Sequence, residues 1–346
     1  MVHHLEEVPI SRGMKKLEVL SGNRNRWLSR EVPISDEVLS LSSLRVLRFR
    51  GIKSLPASEL KELDSISSLR KLEKMNLHSL KIYTLPEKIG AFLRHLKELD
   101  IHYCHKLKSL PTLPSSPSVL RIGTCNSLER LPDLSNLKNL SILEVMQCHK
   151  LREIEGLGNL LSLKDLRTDY CPLTKLDGLK SERLKSLTVL SAAWSEVERL
   201  PNLFKLKNLK SLSVLGSRKL VEIGGLSSLL NLKMLCIDNC RSLELLPELL
   251  PSLEKLFLRY CVQFSEIEAV AELESLQELN INRCRSLRKL PNLSNLQRLQ
   301  RFNMRDCESI VEIPRLEELS SLQELNTVGC KALKLPDLSK QQSNGL

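Results

Sequence analysis

No run of 18 apolar residues occurs anywhere in this 346-residue chain, so no segment reads as a membrane-crossing helix. The first 20 residues lack an apolar secretory core as well, because Val8-Pro-Ile-Ser-Arg-Gly13 interrupts them. A cytoplasmic or nucleocytoplasmic location is therefore expected. The phosphate-cradling patterns Gly-x-x-x-x-Gly-Lys-Ser/Thr and Gly-x-Gly-x-x-Gly are missing. So are His-Glu-x-x-His and Gly-x-Ser-x-Gly, and no nucleophile–base pair stands out. These absences argue against an enzyme and against a resident cofactor or metal. Lys and Arg number 52 against 41 Asp and Glu, a net charge of +11, yet no concentrated basic block exists. A nucleic-acid partner is not expected. The surplus reads as a solvated surface, or as a complement to an acidic partner. Aromatic residues are scarce, at 3% of the chain.

Leucine and cysteine are plentiful, and both are periodic. Nine of the ten cysteines stand at Cys104, Cys125, Cys148, Cys171, Cys240, Cys261, Cys284, Cys307 and Cys330. They are 21 or 23 residues apart, save for one interval of 69 in which Ser195 and Ser217 hold the same phase. Each cysteine sits in a longer frame, as in Leu96-x-x-Leu99-x-Ile101-x-x-Cys104-x-x-Leu107-x-x-Leu110-Pro111. Strand leucines follow at Leu47, Met75, Leu99, Leu120, Leu143, Leu166, Leu190, Leu212, Leu235, Leu256, Leu279, Phe302 and Leu325. A degenerate further copy begins at Met14-x-x-Leu17. This periodicity resembles the leucine-rich repeat.

The frame predicts an α/β solenoid, a leucine-rich-repeat horseshoe. Alternating apolar residues give one short parallel strand per repeat on the concave side. The Leu-Pro corner then turns the chain into a mostly irregular or short-helical convex return, because proline fixes φ and lacks an N–H. About 13 copies fill residues 41–338, with a degenerate first coil or flank over 1–40 and a disordered tail over 339–346. Segments such as Leu131-Pro-Asp-Leu-Ser-Asn-Leu137 and Ile154-Glu-Gly-Leu157 suit a single helical turn. Thr112–Ser118 and Glu248–Ser252, in the two shortest repeats, suit tight extended returns.

The periodic cysteines mark the turn beyond each strand. A small thiol facing inward can donate its weak S–H to a bent backbone carbonyl. Nine thiols in one structural phase read as reduced and buried rather than as a disulfide set. Cys236 departs from the phase and falls on an outward strand position. Its side chain should point away from Cys240, which argues against a shared metal. His78 and His102 share one outward column, with His105 and His149 just past their turns. A solvated surface explains them, with a metal or pH-sensing pair as the sharper alternative.

Three residues per repeat should face out: the one after the strand leucine and the two before the cysteine position. These columns carry Tyr103, Tyr170, Trp194, Phe257 and Tyr260, five of the chain's twelve aromatics. Aromatics on a rigid sheet serve as interface anchors, or else they close gaps between coils. Polar residues flank them: Arg48 and Arg50 early; Arg259, Asn280, Asn282, Arg283, Asn303, Arg305 and Asp306 late; Glu144, Asp169 and Asp238 between. The expected partner-binding set is Tyr103, Tyr170, Trp194, Phe257, Arg259, Tyr260, Arg283 and Arg305. One partner laid across the central and late strands would be gripped by Tyr170, Trp194, Phe257, Tyr260 and Arg259.

The wording of the repeats narrows the resemblance. Leu226-Ser-Ser-Leu-Leu-Asn-Leu232, Cys240-Arg-Ser-Leu-Glu-Leu-Leu-Pro247 and Leu131-Pro-Asp-Leu-Ser-Asn-Leu137 look like the cytoplasmic plant repeat type. They are similar to the repeat region of plant nucleotide-binding leucine-rich-repeat disease resistance proteins of the Toll/interleukin-1-receptor-headed class. The Gly-x-Ile-Pro signature of secreted plant repeats is absent. The resemblance implies a sensor that binds a pathogen effector, or the nucleotide-binding domain of the same or another receptor, in the defence response. The alternative is a non-immune scaffold or substrate adaptor. Neither a nucleotide-binding module nor a Toll-like head is encoded here, so ATP-switch and NAD-cleaving activities have no residues to rest on. The chain is expected to be either a truncated gene product or a fragment of a longer receptor.

Overall fold

The computed structural model describes residues 16–23, 42–50, 69–85, 87–243 and 249–335. Side chains are described for all of these except 22, 23, 49 and 50. The remainder of the 1–40 flank, the 339–346 tail, the Leu246-Pro247 corner, Glu248 and the side chain of Arg50 lie outside the described residues. The chain divides into two compact units, residues 1–187 and 188–346.

In the first unit seven strands pair in parallel and in chain order. They are β1 (Val19–Asn23), β2 (Val46–Arg50), β3 (Lys74–His78), β4 (Glu98–His102), β5 (Val119–Gly123), β6 (Ile142–Met146) and β7 (Asp165–Arg167). The register aligns Leu47, Met75, Leu99, Leu120, Leu143 and Leu166. Leu20 pairs with Leu47, so the first coil starts at Leu17-x-x-Leu20. That is three residues later than the Met14-x-x-Leu17 frame suggests, because either spacing satisfies the local pattern and only pairing with β2 chooses.

The second unit repeats the plan with β8 (Val189–Ser191), β10 (Ser211–Leu215), β12 (Met234–Asp238), β13 (Lys255–Arg259), β14 (Glu278–Asn280), β15 (Arg301–Asn303) and β16 (Glu324–Asn326). Leu190, Leu212, Leu235, Leu256, Leu279, Phe302 and Leu325 align. Two short strands, β9 (Arg199–Leu200) and β11 (Glu222–Ile223), pair at the Leu-Pro or Ile-Gly corner.

Alternation explains the strands. Each five-residue strand with described side chains buries its second and fourth positions, as in β4, where Leu99 and Ile101 are fully buried while Asp100 and His102 are not. Leucines of the return legs, such as Leu107, Leu137 and Leu163, meet them in the same core. Among the described residues the returns hold little helix: one α-turn at Ile89–Phe92 and 3-10 turns at Leu157–Asn159, Asp177–Lys180, Leu226–Ser228, Glu268–Glu272 and Leu316–Glu318. The expected helical turn therefore forms after Ile-Glu-Gly-Leu but not within Leu131–Leu137 or Leu290–Leu296. In those two segments Asp133 and Asn292 accept the backbone N–H of Ser135 and Ser294 at 2.9 and 3.0 Å, and these side-chain turns compete with helix. Gly156 begins one 3-10 turn at φ 76°, and a Cβ there would lie 2.1 Å from Asp133 Oδ1. Thr112–Ser118 is neither helix nor strand and bends at Ser115 and Ser118, with Ser116 Oγ donating to the carbonyl of Leu96 at 2.9 Å.

Candidate recognition surface

From β3 onward the strands of the main ladder lead into the same turn. The residue just before the cysteine position has positive φ in twelve successive repeats: Ser79, Tyr103, Thr124, Gln147, Tyr170, Trp194, Gly216, Asn239, Tyr260, Arg283, Asp306 and Gly329, between 53° and 81°. Only two of these are glycine, although the left-handed region is costly for other residues. The next residue turns inward and holds the bend. Cys284, Cys307 and Cys330 place Sγ 2.9 Å from the carbonyls of Leu258, Ile281 and Met304. Cys104, Cys125, Cys171, Cys240 and Cys261 make the same contact with the preceding repeat's strand at 3.1–3.9 Å. Ser217 does so as a hydroxyl, 3.3 Å from Ala192 O and 2.9 Å from Ser195 Oγ. In the β3 repeat, buried Leu80 takes the position. All ten cysteines are unbridged; of the ladder only Cys330 is not buried. Burial pushes the thiols of Cys240, Cys284 and Cys307 up to about 12.

The positive-φ column places the aromatics. Tyr103, Tyr170, Trp194 and Tyr260 all occupy it and remain 45, 43, 38 and 41% exposed. They lie in the turn beyond the strand, one residue past its end for Tyr103 and Tyr260 and three past it for Tyr170 and Trp194, and Tyr103, Trp194 and Tyr260 also contact the neighbouring coil. In the second unit Trp194 covers Gly216, where a Cβ would come within 2.5 Å of the indole. The Arg218 guanidinium stands 5.6 Å from that ring. Arg283 stacks 5.2 Å from the Tyr260 ring and donates to its hydroxyl at 2.9 Å. Its Nε donates to Asp306 at 3.1 Å, and that carboxylate raises the guanidinium's pKa.

The other expected residues sit differently. Phe257 lies on the strand between Cys236 and Asn280 and is half-buried. Arg259 pairs with Asp238 at 3.1 Å and reaches Cys236 Sγ at 4.0 Å. Cys236 occupies the outward column, as the frame predicts, and is buried there. Burial raises its pKa and that of the Asp238 carboxyl. Arg305 is exposed, beside Asp306 at 3.4 Å.

In the first unit Tyr103 stands 4.8 Å from the His78 ring, with His102 and His105 at 6.4 and 6.3 Å. His102 Nε2 lies 2.7 Å from Asp100 Oδ1. Among the described residues no group of three or more His, Cys, Asp or Glu side chains is arranged to hold a metal ion. Behind this cluster, opposite charges alternate across strands: Lys74, Glu98, Arg121 and Glu144 form one chain of pairs at 2.9–3.0 Å.

A hollow of about 340 Å³ opens beside Tyr260, lined by Asn239, Arg241, Tyr260, Val262, Arg283 and Arg285. Sequence reasoning missed Asn239, Arg241, Val262 and Arg285. The available signal was the residue just after the cysteine position, where arginine recurs as Arg218, Arg241 and Arg285.

Among the described residues no helix is long and apolar enough to cross a membrane. No family model matches the chain. Over 121 residues, 33% of this chain, it is 33% identical to Disease resistance protein RPP4 of Arabidopsis thaliana, and it spans only 10% of that relative's length. A solved leucine-rich-repeat protein of Leptospira interrogans superposes with a TM-score of 0.61 at 23% identity, over 96% of this chain and 88% of that one. The functional domain of InlJ from Listeria monocytogenes, described as including a cysteine ladder, superposes with a TM-score of 0.56 at 21% identity. That match covers 88% of this chain and 66% of that one. With its aligned strand leucines and stacked turn thiols, the chain has the leucine-rich-repeat fold.

Proposed function

We propose that this chain is the recognition module of an intracellular plant immune receptor. In this reading it binds a pathogen effector, or a nucleotide-binding domain of the same or another receptor, by protein–protein contact. The observation that carries recognition is the positive-φ column, which holds Tyr103, Tyr170, Trp194 and Tyr260 half-exposed on a hydrogen-bonded frame. Rings whose rotamers are already restrained lose little entropy on binding, the condition for an anchor residue. Arg259, Arg283 and Arg305, with Phe257 at the strand centre, supply the polar and apolar surroundings. The plant immune role is supported by the repeat text and by the short match to a disease resistance protein.

The mechanism is differential contact: a partner that binds one arrangement of a receptor better than another shifts it toward that arrangement. Proximity labelling in infected and uninfected plant tissue tests this, with wild type compared against Trp194→Ala and Tyr260→Ala. A pathogen protein captured by wild type and lost from both variants is the expected result. Host proteins only, indifferent to infection and to both substitutions, would instead establish a non-immune scaffold or adaptor.

A further inference from the structure

The hollow beside Tyr260 has a chemistry of its own. Its floor is the Tyr260 ring and the half-buried Val262, and its walls carry Arg241, Arg283 and Arg285. Arg283 is preset by the Tyr260 hydroxyl and by Asp306. Arg285 is held only loosely, 3.9 Å from Glu308. Arg241 is exposed and donates to the neutral Asn239 side chain at 2.9 Å, and among the described residues no carboxylate pairs with it. Three guanidinium groups therefore converge on an apolar floor with less than matching negative charge.

We infer that this hollow is an anchoring site for an acidic side chain, Asp or Glu, on an extended loop of a protein partner. Arg241 and Arg285 would form charge-assisted bonds with the carboxylate, and Tyr260 and Val262 would receive the adjoining methylene groups. A protein carboxylate fits better than a nucleic-acid backbone. Asp306 and Glu308 border the site and would repel a continuous line of phosphates, whereas a single carboxylate can be seated short of them. The inference extends the protein-recognition reading by naming the chemistry of the partner's anchor. It does not depend on an immune role.

The test uses the full chain and three fluorescein-labelled probes. They are a ten-residue Gly/Ser peptide with two central Glu residues, the same peptide with Gln, and a ten-nucleotide single-stranded DNA. Fluorescence polarisation is read at low and physiological salt. The expected result is binding of the Glu peptide, at least tenfold weaker or absent binding of the Gln peptide, and weakening with salt. Arg241→Gln/Arg285→Gln should reduce Glu-peptide binding at least tenfold. Lys106→Gln/Lys150→Gln, which removes two exposed charges from the first unit, should leave it unchanged. Arg241→Lys/Arg285→Lys should retain part of it. No Glu-peptide binding, equal loss in both Gln double variants, or tighter DNA binding that needs the same arginines would each overturn the inference. The proximity-labelling outcome bears on none of these results, so the two readings fail separately.

Discussion

A residue in the left-handed region pays for its position in backbone strain, and here that position is filled ten times by residues other than glycine. At the column's Gly216 the absence of a side chain has a second cause, since Trp194 occupies the space where a Cβ would project. Gly216→Ala is expected to cost about 1–3 kcal/mol, measured by urea denaturation, and to displace the Trp194 ring. The thiols beside the column make a different prediction. An ordinary thiol has a pKa near 8.5, whereas burial pushes Cys240, Cys284 and Cys307 up to about 12. Between those values the unfolded chain releases protons that the folded chain retains. Their stabilisation is therefore complete below about pH 8.5 and is lost as pH rises toward 12. The urea midpoint should fall over that range, and a Cys240→Ser/Cys284→Ser/Cys307→Ser variant should show a shallower fall. An equal slope in the variant would refute the account.

Strand β5 separates two kinds of contribution at the scale of an element. Leu120 is fully buried, and its neighbour Arg121 bridges Glu98 and Glu144 on the flanking strands. Leu120→Ala should cost about 2–5 kcal/mol, as core truncations do. Arg121→Gln should cost about 1 kcal/mol or less, because partly exposed pairs are screened by water. Parallel urea titrations decide the order, and a larger loss for Arg121→Gln would reverse it. The same contrast explains what could be read in advance. Strand leucines obey a period that water and the pleat impose, so the six positions from Leu47 to Leu166 fall in register in the first unit, and the seven from Leu190 to Leu325 in the second. The first coil was displaced by three residues because one degenerate copy supplies no second period to check against. Alternation put Cys236 in the outward column, but it carries no information about reach, and so gave no sign that Arg259 on the next strand comes to 4.0 Å from a buried thiol there.

For the molecule as a whole, the proposed recognition rests on residues on which the repeat imposes no identity. The frame located the outward columns; it could not show that the third of them lies in a turn, where side chains touch along the column from coil to coil. Thr124 donates to Gln147 at 2.8 Å, Arg283 links Tyr260 to Asp306, and Trp194 rests on Gly216. The hollow beyond Tyr260 follows from that arrangement and from no local motif. Trp194 also has an optical consequence. The chain has two tryptophans, so replacing Trp27 with Phe leaves a single indole emitter. That emitter stands beneath a guanidinium, at the edge where a partner is proposed to dock. Its emission maximum and its accessibility to iodide quenching would then give a label-free titration of occupancy in the second unit.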